Sequence, residues 1–406
     1  MRIKAIFKYT MYTMFILLSM ASCHWFKPED ETIYDRTVLV YMAADNDLSY
    51  IYSDTIPSFF QEDIDEMIKG ACNTPGNSRL LVYADDHNLP RILSIEQQKG
   101  RRPVAKVIHQ YDTEHNSGDT ETLRMAMEWV ITNYAAESYG LVLWSHGSAW
   151  LPAKTPAQRA ICIDTKTGSL MEIEDIADVL APLPHLDFIL FDACFMQAIE
   201  VAYELRNVAD YIISSPAEIP GPGAPYHRLI PAMFATPFDA ESIVEEYYRE
   251  YKEGNIRVEG HEPDCFGVCL SAIDCRYLDQ LAVATSQMIE KYAGNSSINL
   301  SEVQRYYPLT SSKIPEYYDM NSYMYRLIAS PDDYARWKDA FDTAVPHRRA
   351  TTHWFSDYTN RLESIIDMDN YGGISCYVPQ SGRTMLNEAF HHTAWYHASG
   401  WEQAGW

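Results

Sequence analysis

Residues 139–147 read Tyr139-Gly-Leu-Val-Leu-Trp-Ser-His146-Gly147, and residues 187–194 read Asp187-Phe-Ile-Leu-Phe-Asp192-Ala-Cys194. Each is a short, continuously apolar run that ends in polar or reactive side chains. A run without polar alternation suits a strand buried on both faces, as in a parallel sheet covered by helices. Two similar runs come earlier, at Thr37–Ala44 (TVLVYMAA) and Arg79–Asp85 (RLLVYAD), and a fifth follows at Ala209–Ser214 (ADYIIS). Helical patterns separate them. Thr120–Ala136 repeats apolar residues at Leu123, Met127, Val130, Ile131 and Tyr134, with Ser117 or Asp119 available as a cap. Met171–Leu180 and Met196–Leu205 read the same way. Strands alternating with helices predict an α/β fold, an open and mostly parallel sheet with helices on both faces.

The outer segments are less regular. Arg91–Gln97 and Val104–Gln110 flank a Lys-Gly-Arg-Arg-Pro turn and read as a hairpin added to the core. Beyond Pro231 the patterns predict a helix over Ala240–Tyr251, a strand over Cys265–Ile273 and a helix over Arg276–Tyr292. A helix-rich stretch from Asn321 to Val345 and a last strand near Gly373–Val378 complete the chain. We read a catalytic-type domain over residues 37–230. Residues 231–406 form a helix-rich α+β region packed on it or continuing it.

The start of the chain reads as an address. Met1–Tyr9 carries Arg2, Lys4 and Lys8 with no acid, an apolar run follows from Met11, and the segment closes at Ala21-Ser22-Cys23. A charged region, a short apolar region and small residues make a secretory signal over residues 1–23. The apolar run is short of the ~20 residues a spanning helix needs. Cys23 after Ala-Ser resembles a bacterial lipobox, with Met20 where Leu is usual, and predicts acylation of Cys23 and a membrane anchor through the lipid. Residues 24–36 read as a tether. The expected location is the bacterial cell envelope, lipid-anchored or secreted.

Composition narrows the function. The 406 residues are 47% hydrophobic and 22% charged, enough to fill a large core. A net charge of -24 excludes the basic footprint of a nucleic-acid binder. Eight cysteines without regular spacing are too few for a disulfide scaffold, which leaves room for a chemical role.

Reactive groups in open α/β sheets collect at the carboxyl ends of strands. Here one buried run ends in His146-Gly147 and another in Asp192-Ala-Cys194. A thiol nucleophile, an imidazole to handle protons, and backbone N–H groups at a tight turn are the parts of an acyl-transfer site. Gly147 lets backbone approach a substrate carbonyl with no Cβ in the way. The histidine precedes the cysteine, the order in caspases, where the separation is about 50 residues, and the reverse of papain-type enzymes. Taken singly, Cys194 also reads as a small buried hydrophobe and His146 as a hydrogen-bonded turn residue.

Four segments together resemble the clostripain-like cysteine peptidases, relatives of caspases and gingipains. They are Tyr41-Met-Ala-Ala-Asp-Asn-Asp-Leu48, Gly118-Asp-Thr-Glu-Thr-Leu123, Tyr139–Ser148 and Asp187–Gln197. The resemblance implies a caspase-like fold, Cys194 as nucleophile and His146 as general acid/base. It implies an oxyanion hole from the N–H groups of Gly147 and Cys194, and Asp192 at the floor of a pocket for substrate Arg or Lys. Ser215-Pro216 and Gly223-Ala224 depart from the family's Ser-Glu and Gly-aromatic, so the basic preference does not follow from motif alone; Glu218 offers a second acid nearby. Family members are often cut between the histidine and nucleophile segments. Here Trp150–Ala160 is Pro-rich, with Lys154 and Arg159 as basic cut sites.

No cofactor is required by this chemistry, and the partners expected are protein or peptide substrates. Some family members need calcium, which the resemblance therefore allows without naming ligands. Asp45-Asn-Asp47 begins like a calcium loop, but Tyr50 and Ile56 stand where an EF-hand needs glycine and glutamate. His261, Cys265, Cys269 and Cys275 fit no standard zinc spacing, and neither HExxH nor G-x-S-x-G occurs. The rival reading is a non-catalytic surface lipoprotein binding peptides or glycans on the same fold. Its support is the count of 29 Tyr and 9 Trp.

Overall fold

The apolar runs become the centre of one sheet. In the computed structural model, β1 (Tyr34–Ala43), β2 (Ser78–Asp85), β3 (Arg91–Glu96), β4 (Val104–Gln110) and β5 (Ala136–Trp144) come first. After β5 come β6 (Ile161–Asp164), β7 (Ser169–Met171), β8 (Leu186–Asp192), β9 (Ala209–Ser214), β10 (Cys269–Asp274), β11 (Tyr318–Asp319) and β12 (His347–Ala350). The structure describes residues 33–51, 57–96, 102–151, 161–256, 266–295, 298–306, 317–356 and 361–406. The leader with Cys23, the loop residues Lys154 and Arg159, and His261 with Cys265 lie outside the described residues.

Among the described residues, nine strands form a mixed sheet in the order β12-β10-β9-β8-β5-β1-β2-β3-β4. The five central strands pair in parallel. Antiparallel pairs extend the sheet at both edges: β3 and β4 as the expected hairpin, β10 and β12 on the other side. Residues after 230 thus contribute strands to the same sheet, and Tyr34–Trp406 is one compact unit.

Period-two geometry explains how continuous apolar runs serve two cores. Along β1, Leu39, Tyr41 and Ala43 face one core while Val38, Val40 and Met42 face the other. The first core packs beneath α2 (Thr120–Asn133), α3 (Ile173–Leu180), α4 (Ile199–Glu204) and α7 (Leu278–Tyr292). The second packs beneath α1 (Phe59–Gly70), α5 (Tyr226–Met233) and α6 (Ala240–Lys252). Asp119, not Ser117, caps α2, its side chain accepting from the Glu121 N–H.

Helix α1 had no counterpart in the sequence reading, although its signal is present. Ser58 accepts from the Gln61 N–H, and Phe60, Ile64 and Met67 repeat at helical spacing. Helix α4 starts later than its apolar pattern because Phe195 takes a left-handed φ of 67° and the Gln197 N–H is drawn to Ser215 O at 3.0 Å. Strand β10 begins at Cys269, and the last strand shrinks to Ser375–Cys376, paired with β11.

Candidate active site

The strand order reverses at β1: β2 lies on one side of it and β5, then β8, on the other. A ligand crevice is expected outside the carboxyl ends of the strands at such a switch point. A cleft of about 440 Å³ lies there, lined among others by Asp47, Trp144, His146, Asp192, Cys194 and Glu218. The structure therefore brings His146, Cys194, Asp192 and Glu218 to one place, with Gly147 beside them.

Two turns hold His146 and Cys194. Gly147 packs so tightly on the cysteine loop that a Cβ there would lie 2.9 Å from Cys194 O, 2.9 Å from Met196 Sδ and 3.0 Å from Ala193 Cβ. Phe195, next to the cysteine, holds its left-handed backbone because its N–H bonds to Ala217 O at 3.0 Å and its ring is fully buried. Strained non-glycine residues of this kind persist where surrounding structure over-determines them, often at functional sites. The Cys194 thiol, partly exposed, receives the Ile219 N–H at 3.3 Å and faces Ile219 O at 3.7 Å. An N–H directed at sulfur favours negative charge there.

Asp192 is buried beneath the cleft. Its Oδ1 accepts the Ala224 N–H at 3.0 Å and its Oδ2 the Tyr226 hydroxyl at 2.9 Å. Gly223, at φ +60°, passes so close that a Cβ would stand 2.9 Å from both carboxylate oxygens. Burial pushes Asp192 up to about 6, against the pull of those two hydrogen bonds. Each carboxylate oxygen has a second lone pair, so the group keeps capacity for a substrate cation.

Several site residues were given no role by the sequence. Asp63 on α1, 1% exposed, accepts the Trp144 indole N–H at 2.6 Å, and burial followed by the charge of Asp192 raises it well above the usual carboxylate range. Tyr226 and Ile219 act through a hydroxyl and a backbone, which no motif marks. Asp47 accepts from His146 Nε2 at 2.7 Å across 99 residues of chain. Tyr317 ties the C-terminal region to the histidine loop through Ser148 O at 2.6 Å. Ser375 N–H does the same for the cysteine side through Gln197 O at 2.9 Å.

Among the described residues, no group of three or more His, Cys, Asp or Glu side chains is arranged to hold a metal ion. No described helix is long and apolar enough to cross a membrane. Cys269 and Cys275 are buried free thiols.

Comparison with known proteins places these observations. A family model described as the clostripain family matches residues 40–404. Clostripain of Hathewaya histolytica is 28% identical over 225 residues, which cover 48% of this chain and 41% of that protein. The match thus spans about two fifths of that relative's length. A secreted C11 cysteine protease of Bacteroides thetaiotaomicron, solved with an irreversible peptide inhibitor, is 34% identical with a TM-score of 0.79. That likeness covers 91% of this chain and 99% of the solved one. An inactive zymogen C11 protease of Parabacteroides distasonis is 31% identical with a TM-score of 0.76, over 91% of this chain and 99% of the other. The mixed sheet with helices on both faces is accordingly the caspase-like fold of these proteases. The chain belongs to the clostripain family of cysteine peptidases.

Proposed function

We propose that the protein is an exported cysteine endopeptidase, anchored by a lipid on Cys23, that cleaves peptide bonds after Arg or Lys. What supports the reading is one cleft lined by Cys194, His146, Asp192 and Glu218, at the switch point of a parallel sheet. Cys194 Sγ attacks the scissile carbonyl, and His146 takes the thiol proton and returns it to the leaving amine. A thioester forms, and water, deprotonated by His146, releases the acid product. The N–H groups of Gly147 and Cys194 receive the oxyanion, a role consistent with the tight packing of these two loops.

The substrate cation meets Asp192 from above, with Glu218 on the wall of the same cleft. A cut in the Pro-rich segment at Lys154 or Arg159 would separate the histidine from the nucleophile segment and serve as maturation. Export is supported by the basic and apolar leader, and by the secreted relative of Bacteroides thetaiotaomicron.

The test is hydrolysis of fluorogenic peptides bearing Arg, Lys, Ala or Asp before the scissile bond, with Cys194→Ala alongside, in calcium and in chelator. Cleavage of Arg or Lys peptides, absent in Cys194→Ala, is the expected result. Cleavage of another residue would remove Asp192 from its role. Silence after nicking of the 150–160 segment would favour the peptide-binding lipoprotein.

A further inference from the structure

His146 has two ring nitrogens and needs one of them for the proton it carries. Nε2 is already engaged, 2.7 Å from Asp47 Oδ1. A carboxylate only accepts, so Nε2 bears the hydrogen and Nδ1 is left as the bare nitrogen. We propose that Asp47 is the positioning residue of the site, fixing the tautomer and ring direction of His146 and supporting the imidazolium formed when the thiol proton is taken up. The inference rests on the reading of His146 as the proton carrier.

The case is stronger than a surface ion pair because the turn that presents Asp47 is built for it. Asn46, fully buried, donates through Nδ2 to Ala43 O at 2.8 Å, to Ile163 O at 3.0 Å and to Ser145 Oγ at 3.3 Å. Its Oδ1 accepts the Leu48 N–H at 3.0 Å, closing the short helical turn Asp47–Ser49. One amide thus ties the end of β1 to Ser145, the neighbour of His146, and to β6. From the far side, His87 meets Ser49 Oγ at 2.9 Å and Asp45 Oδ1 at 3.2 Å. The turn cannot shift relative to the histidine loop without breaking buried hydrogen bonds. Asp47 itself is more than half exposed, while His146 is 28% exposed. Substrate covering the cleft would exclude water from the pair and strengthen it at the moment of reaction.

The arrangement follows the triad logic in which a carboxylate orients and supports an imidazole without itself being protonated. Proton flow balances: the thiol proton moves to Nδ1, then to the leaving amine, and the Nε2–H stays on the ring, hydrogen-bonded to Asp47, throughout.

The experiment measures kcat and KM of the full protein and of Asp47→Ala, Asp47→Asn and Asp47→Glu on the best peptide, with Cys194→Ala as a blank. Melting temperatures are recorded for each. The expected result is a fall in kcat of roughly tenfold to hundredfold for Ala and Asn, below the share of a general base itself, with KM within about twofold. Glu should recover part of the loss, and melting should be unchanged. Proton NMR should show a downfield ring N–H resonance of His146 that disappears in Asp47→Asn. A rise in KM at constant kcat would make Asp47 a substrate contact and overturn the proposal, as would wild-type kcat in all three variants. A wild-type protein as inactive as Cys194→Ala would overturn the peptidase reading as well.

Discussion

The Tyr226 hydroxyl donates to Asp192 Oδ2 at 2.9 Å, one of two hydrogen bonds that oppose the effect of burial on this carboxyl. Burial raises Asp192 to about 6, while Tyr226 and the Ala224 N–H hold it down. Below that value the carboxyl is neutral and, in the role proposed for it, would attract a substrate cation weakly. The ratio of kcat/KM for a Lys peptide to that for an Ala peptide should therefore climb through about pH 6 and level off above it. The ratio cancels the titration of the thiol and imidazole. Tyr226→Phe removes a bond that favours the charged form, so its midpoint should lie at higher pH. A flat ratio in both proteins would release Asp192 from substrate recognition.

Gly147→Ala tests the contact between the two reactive loops. A Cβ has no room, with Cys194 O and Met196 Sδ each 2.9 Å away. One loop must move, and displacement by about 1 Å at a reacting centre costs on the order of a hundredfold in rate. We expect a loss of that size in kcat/KM, with the protein still folded by circular dichroism. Wild-type activity would show that the loops can part without harm.

The sheet was readable because buried parallel strands announce themselves as unbroken apolar runs, and all five central strands fall where such runs lie. His146 and Cys194 were readable because each ends one of those runs. Asp47 stood in the Tyr41–Leu48 segment without a role, and Asp63 and Tyr226 stood in no motif, since each of the three enters the site from a different element and touches a partner far away in the chain. Strand order decides those meetings, and order depends on which edges pair, which periodicity does not encode. Helix α1 was missed for another reason: its cap and spacing are legible, but half its face is charged.

Cysteine chemistry should separate the thiols. Cys162, Cys269 and Cys376 are buried, and burial pushes each thiol well above its ordinary value. In a Cys72→Ser background, iodoacetamide should alkylate Cys194 in the folded protein and reach these three only after denaturation. Mass spectrometry of tryptic peptides over time gives the answer. Labelling of Cys162 before Cys194 would contradict the structure.

Stability should fall as pH rises from about 4.5 to about 7. Glu200, 1% exposed, accepts the Tyr377 N–H on Oε1 at 2.8 Å, and burial raises it to about 7. Unfolded, the group ionises near 4.5, so between 4.5 and 7 the native state holds a proton that the unfolded state has released. Its contribution is full below that window and lost above it. Glu200→Gln keeps the acceptor for Tyr377 and cannot ionise. Its melting temperature should exceed the wild type's by a few degrees at pH 8 and match it at pH 4. Equal melting at both pH values would mean that Glu200 stays paired in some other way.

The separation of 99 positions between Asp47 and His146 also has a meaning in time. The site comes into being only when β1, β5 and β8 lie side by side, and distant parallel strands are slow to find one another. A chain leaving the ribosome already carries its thiol but has nothing to activate it. Until the sheet closes, the nascent protein is harmless to itself and to its neighbours, a safeguard supplied by topology alone.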